Sequence, residues 1–176
     1  LAVHIAKHLG AGKVIATGRN PDTLRALIGV GADVTIQLTG DGDALERSFV
    51  AQFAEGIDVV IDYLWGASAE RLLIAGVKAG AEAVPIRFVQ VGSVSAQEIT
   101  LPSAVLRASA IELMGSGIGS VALDRLIDVT GDVLHAAASK GFRIAVDPIP
   151  LSEVGEAWSK SGSASRTVLT IDAKGA

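Results

Sequence analysis

The sequence predicts a doubly wound α/β fold, a parallel sheet with helices on both faces in three αβα layers. Three observations lead there. Short runs rich in Val and Ile, apolar on both faces, recur along the chain, as in Lys13 to Thr17 (KVIAT) and Ile57 to Asp62 (IDVVID). Strands of that kind belong to sheets covered on both sides. Segments whose apolar residues recur at helical spacing separate these runs. Glycines or capping residues mark most of the transitions, and right-handed crossovers then fix the winding.

The elements follow in order. Leu1, Ile5 and Leu9 recur at helical spacing, and the helix ends at Gly10-Ala11-Gly12. KVIAT is a short strand closed by Gly18. Asn20 is the expected N-cap of the next helix, with Pro21 at its first position and Leu24, Leu27 and Ile28 on one face. Asp33 to Leu38 is a strand, and Gly40-Asp41-Gly42 a turn. Asp43 with Glu46 fits a capping box for a helix that presents Leu45, Phe49 and Phe53. Ile57 to Asp62 is a strand, Ala67 to Ala79 a helix, and Ile86 to Val91 and Ile111 to Met114 two further strands. A long helix is expected from Val121 to Ser139, a strand over Arg143 to Asp147, a short helix over Leu151 to Lys160, and a closing strand from Thr167 to Ile171.

Composition narrows the function classes. The chain has 176 residues, 49% of them hydrophobic, with 15 Lys+Arg against 19 Asp+Glu, a net charge of −4 and no cysteine. A mean hydropathy of +0.47 excludes a disordered tail. The length suits one domain, able to bury about 70% of its unfolded surface. Without cysteine there are no disulfides, thiolate zinc sites, iron–sulfur clusters or cysteine nucleophiles in these residues. Mild acidity argues against a nucleic-acid partner, which needs a clustered basic face. No apolar run approaches the roughly 20 residues of a membrane span, so a cytoplasmic domain with no membrane partner is expected. The chain opens with Leu1 already in a helical pattern, so a piece of a longer protein is expected.

In open α/β sheets, ligands bind beyond the carboxyl ends of the strands. The candidate loops are therefore Thr17 to Asn20, Gln37 to Thr39, Tyr63 to Gly66, Gly92 to Ser95 and Ser116 to Gly119. The first is the most informative. A sheet that binds NAD usually ends its second strand in a carboxylate for the ribose 2′-hydroxyl, whereas one that binds NADP uses small or basic residues. Here KVIAT runs into Gly18-Arg19-Asn20, with no carboxylate before Asp22. A guanidinium can grip a 2′-phosphate bidentately, and a carboxylate would repel it. Arg19 is thus either a 2′-phosphate ligand or a solvated loop residue, and Asn20 is a helix cap.

Other candidates carry less. Gly115-Ser116-Gly117-Ile118-Gly119 imitates a phosphate-binding glycine loop but has Ser120 where the third glycine belongs. A turn lining the ligand cleft is the better expectation. His4 and His8 share a helix face, yet Ile5 stands where a zinc-protease motif needs Glu, so solvated histidines are expected. His135 has no evident partner. Asp62, at the end of its strand, either touches a ribose or caps the next turn. Trp65 and Trp158 are expected to pack. Hydrolase and kinase motifs are absent from the sequence.

The order of motifs nevertheless resembles a known superfamily. LAVHIAKHLGAGKVIATGRNPDTLRALIGVGADVTI is similar to the cofactor domain of the medium-chain dehydrogenases/reductases, including Val30-Gly31-Ala32-Asp33. Gly56 to Asp62 looks like that family's fourth strand and Phe88 to Gly92 like its fifth. Ile149 to Val154, Trp158 and Arg166 to Leu169 look like its closing helix and strand. The resemblance, nearest to the zinc-independent quinone-oxidoreductase and enone-reductase branches, implies an NADP(H)-dependent oxidoreductase acting on a quinone, enone or other carbonyl substrate. It implies a Rossmann-like cofactor domain over residues 1–176, lacking its first strand and Gly-rich turn, with the GroES-like catalytic domain outside this chain. Thr17, Gly18, Arg19 and Asn20 would hold the 2′-phosphate end. Tyr63, Leu64, Val91, Gly92 and Ser93 would line the nicotinamide and its ribose, and Ser116, Gly117 and Ile118 would border the active-site end. No catalytic residue or metal ligand is assigned. A homodimer through the strand near Ile111 to Met114 is implied as well. Tyr63-Leu64-Trp65 is bulkier than the small residues common after that strand. Two alternatives stay open: the cofactor domain of a zinc-dependent alcohol dehydrogenase, and a non-catalytic α/β binding or regulatory domain.

Overall fold

A computed structural model describes residues 1–38, 41–159 and 166–171. Thr39, in one candidate loop, and Lys160, at the end of one expected helix, lie outside the described residues. The elements are α1 (Ala2–His8), β1 (Ile15–Gly18), α2 (Pro21–Gly29), β2 (Val34–Gln37), α3 (Gly42–Ala54), β3 (Val59–Asp62), α4 (Gly66–Ala79), β4 (Ile86–Gln90), α5 (Ser103–Arg107), β5 (Ile111–Gly115), α6 (Leu123–Lys140), β6 (Val146–Pro150), α7 (Val154–Ser159) and β7 (Arg166–Thr170). Parallel pairing with flanking helices is the α/β architecture expected from the sequence.

Local chemistry explains the helix starts. Asn20 is extended at φ −89° and its side chain accepts from the amides of Asp22 and Thr23, with Pro21 following. At α3 the cap is Asp41, which accepts from the Asp43 amide. The expected Asp43–Glu46 capping box is therefore not formed. Glu46 instead takes a hydrogen bond from Lys78 of α4.

Among the described residues the strands form three parallel groups, β1-β2, β3-β4-β5 and β6-β7. The first two share a core: Ile36, Phe49, Phe53, Ala75 and Ile86 are buried together, with Ile15 and Val60 packed against them. A second cluster, Ala69, Leu73, Phe88 and Val105, seats α4 and α5 on β4. Val3, Ala16 and Ala32 join α1 to β1 and the start of β2. Asp33 locks that corner, accepting from Lys7 Nζ at 2.7 Å and from the Val14 amide at 2.6 Å. The side-chain hydrogen bond from Lys7, then the one from the Val14 amide, hold the Asp33 pKa below its ordinary value.

β1 and β3 are not hydrogen-bonded to each other. Val14 and Gly18 carbonyls point at β2, and Asp58 and Asp62 carbonyls at β4. Strand alternation then turns the backbone groups of Ile15 and Thr17, and of Val59 and Ile61, toward the opposite edges. The Val59 and Ile61 side chains are 49% and 52% exposed.

Several expectations need correction. The strand placed over Arg143 to Asp147 forms at Val146–Pro150. The observed strand contains Pro148 and Pro150, which donate no amide hydrogen. The Arg166 amide donates to the Ala145 carbonyl, so alternation turns both prolines to the edge away from β7, where no N–H is needed. α5, begun after Pro102, was not expected. His4 is half-buried, stacked on Phe142 at 5.0 Å, while His8 meets the same ring edge-on from an exposed position. Trp65 packs edge-on against Phe88, but Trp158 is 86% exposed and does not pack.

Candidate functional site

Two groups of strand-end residues form, each knit by its own hydrogen bonds. The first joins the ends of β1 and β2. The Leu38 amide donates to the Gly18 carbonyl, and Gln37 Nε2 donates to the Arg19 carbonyl at 3.1 Å. Thr17, Arg19 and Asn20 are exposed and Gly18 is half-buried against Leu24. The Asn20 side chain is consumed by the cap. Arg19 has no ion-pair partner among the described residues, and the nearest carboxylate in sequence, Asp22, is paired with Arg25. A guanidinium therefore stands at the end of β1 with no carboxylate competing for it. Beside it, a cleft of about 220 Å³ opens between β2 and α3, lined by Gln37, Asp41 and Ser48 among others.

The second group joins the ends of β3, β4 and β5. Asp62 is only 5% exposed. Its carboxylate accepts from the Leu64 amide at 3.1 Å and the Trp65 amide at 2.9 Å. Of the two roles open to it, it caps the turn. The Asp62 carbonyl takes hydrogen bonds from the Val91 and Gly92 amides, Tyr63 from Val94, and Leu64 from Ser95. Pairing thus continues past the ends of β3 and β4. Gly92 is required there: a Cβ would sit 2.7 Å from the Tyr63 carbonyl oxygen. Tyr63 and Val91 are exposed, and Leu64 and Ser93 half-buried, so the group offers an apolar rim over a rigid floor.

Ser116 belongs to this group, since its amide donates to the Gln90 carbonyl. Ser120 Oγ takes the Gly117 amide, and the Ser120 amide donates to the Gly117 carbonyl. Those bonds leave few amides to cradle a phosphate and support the turn instead. Ile118 projects at 85% exposure. Among the described residues no three His, Cys, Asp or Glu side chains gather as metal ligands, and no helix is long and apolar enough to cross a membrane. The larger cavity, about 410 Å³, lies at the other end of the sheet, lined by Gly80, Glu82, Ile86 and Arg107 among others. Cavity size does not mark the strand-end site.

The sequence pointed to both loop groups, but not to Gln37 as the side chain that ties β2 to the Arg19 loop. It also left undecided that Asp62 holds the turn. The only sequence signal for the latter was a carboxylate ending an apolar strand two and three residues before the amides it caps.

Parallel strands with covering helices, and candidate loops at the carboxyl ends, define a Rossmann-like α/β domain. More specifically, the chain belongs to the zinc-binding dehydrogenase family, whose model matches residues 1–139, within the medium-chain dehydrogenase/reductase superfamily. It is 30% identical, over 97% of its length, to a probable NADPH-dependent quinone reductase of Emericella nidulans. The chain spans about half the length of that relative, 50%. Among solved structures, AibC superposes with TM-score 0.76 at 24% identity, covering 97% of this chain and 45% of AibC. A quinone oxidoreductase of Pseudomonas syringae superposes at 0.69 with 21% identity, covering 96% and 52% of the two chains. A mycobacterial protein solved with NADPH superposes at 0.65 with 19% identity, covering 88% and 46%. These likenesses show the fold.

Proposed function

We propose that residues 1–176 are the cofactor-binding unit of an NADP(H)-dependent oxidoreductase that reduces a quinone, enone or other carbonyl compound. The observation that carries this reading is the Arg19 guanidinium at the end of β1, unpaired among the described residues, with Asp22 occupied by Arg25. A 2′-phosphate needs a cation in that place and is repelled by the carboxylate that would serve NAD. The relative named as NADPH-dependent, and the neighbour solved with NADPH, support the choice.

Bound NADPH supplies a hydride from its dihydronicotinamide. The chain's own residues bind and orient it. Arg19, with Thr17, Gly18 and Asn20 around it, receives the 2′-phosphate, while the Gln37 amide fixes the Arg19 carbonyl and so the loop. Tyr63, Leu64 and Val91 give the inner end an apolar wall, and Gly92 and Ser93 let it approach the backbone. Ser116, Gly117 and Ile118 border the opening toward the substrate. The catalytic, GroES-like domain that contacts substrate belongs to another part of the protein in this reading. A homodimer would pair the edge of β5 that meets no other described strand, where Leu113 and Met114 are 38% and 41% exposed. A cytoplasmic location is part of the same reading.

The test is donor preference in the full-length gene product. NADPH should reduce a quinone probe with kcat/KM at least about tenfold above NADH, in line with one charged hydrogen bond to the 2′-phosphate. Equal use of both donors, or a preference for NADH, would remove the role given to Arg19.

A further inference from the structure

We infer that Asp62 is a positioning residue for the inner end of the cofactor site: it holds a turn that the Trp65 backbone disfavours, and that turn is the template for the loop after β4. This rests on the reading that Tyr63, Gly92 and Ser93 line the nicotinamide. Trp65 adopts φ +60° and ψ −163°, a region nearly reserved to glycine. It is one of two non-glycine residues with positive φ among the described residues, and the one within the candidate site.

A backbone held there needs an opposing restraint. The Asp62 carboxylate supplies it, buried at 5% exposure, by taking the amides of both Leu64 and Trp65. Charge-assisted bonds out of water are the strong kind. The Trp65 ring, edge-on to Phe88 at 6.4 Å, adds a second anchor.

The turn is then copied. The Tyr63 and Leu64 carbonyls receive the Val94 and Ser95 amides at 3.3 and 2.8 Å. Gly66 faces Ala96 so closely that a Cβ would lie 2.9 Å from the alanine methyl. Releasing the Asp62 side chain therefore loosens a loop that it does not touch. Loss of placement at the inner end should slow hydride transfer more than it weakens binding, which Arg19 governs at the far end.

The variant is Asp62→Asn, which keeps the size and one acceptor oxygen of the carboxylate. In the full-length gene product, with NADPH or its 4-deuterated form and phenanthrenequinone as probe, Asp62→Asn should lower kcat about tenfold and leave KM for NADPH within about threefold. The deuterium isotope effect on kcat should rise. A fall in kcat with an unchanged isotope effect overturns the proposal. Amide exchange in the same proteins separates this proposal from the function it rests on. Val94 and Ser95 should exchange faster in Asp62→Asn whether or not NADPH is a donor, and unchanged exchange there sinks the positioning role. A wild-type protein that oxidises no NADPH would overturn the functional reading and the kinetic role of Asp62 together, leaving only the structural coupling to stand on the exchange.

Discussion

Asp33 joins α1, β1 and the start of β2 through one carboxylate, and its charge carries a pH signature. Its folded pKa is held below the ordinary 3.8 by the Lys7 ammonium and the Val14 amide. A depressed carboxylate contributes stability that is complete above its unfolded pKa and is lost as pH falls through the folded value. Urea midpoints measured from pH 6 down to pH 2 should therefore converge for wild type and Asp33→Asn at the acid end and separate above about pH 4. Asn20→Ala should cost about 1 kcal/mol at any of these pH values, because the cap is neutral. Asn20 was legible because Asn-Pro-Asp is a local signal. The Asp33 clamp was not, since Lys7 lies 26 residues away in sequence and only folding brings them together.

At the scale of elements, α3 and α4 carry the weight between the two sheet groups. Phe49 is 2% exposed and lies in the cluster that spans both. Phe49→Ala should destabilise by about 3–5 kcal/mol, measured as a shift in the denaturation midpoint, with no change in the slope. Most strands and helices were legible because Val/Ile runs and apolar helical stripes report burial directly. β6 was misplaced because sequence shows that a proline lacks an N–H but not which edge that N–H would face. α5 is short, and its one buried residue, Val105, sets no period.

At the scale of the molecule, the edges of β1 and β3 left unpaired among the described residues matter most. Ile15, Thr17, Val59 and Ile61 turn backbone groups to edges that pair with no described strand. Their amides should exchange within seconds to minutes in this chain alone, whereas those of Ala16 and Val60, paired within their groups, should be protected. The proposed cofactor loops hang from these same strands. NADPH should accordingly bind this chain alone more weakly than about 1 μM, and sub-micromolar affinity in a titration would show that the site is complete as it stands. The resemblance to a cofactor domain was legible from the ordered set of motifs. The hydrogen bonds that knit each loop group were not, because they depend on which carbonyl meets which amide.

In the proposed function Arg19 recognises the 2′-phosphate of the cofactor. The direct measurement is kcat/KM of wild type and Arg19→Ala full-length protein with NADPH and with NADH. Removing one charged hydrogen-bonding group should cost about 1–3 kcal/mol with NADPH, or roughly 5- to 150-fold, and leave NADH nearly unaffected. Equal losses with the two cofactors would show that Arg19 supports the loop without reading the phosphate, and would contradict the proposed role.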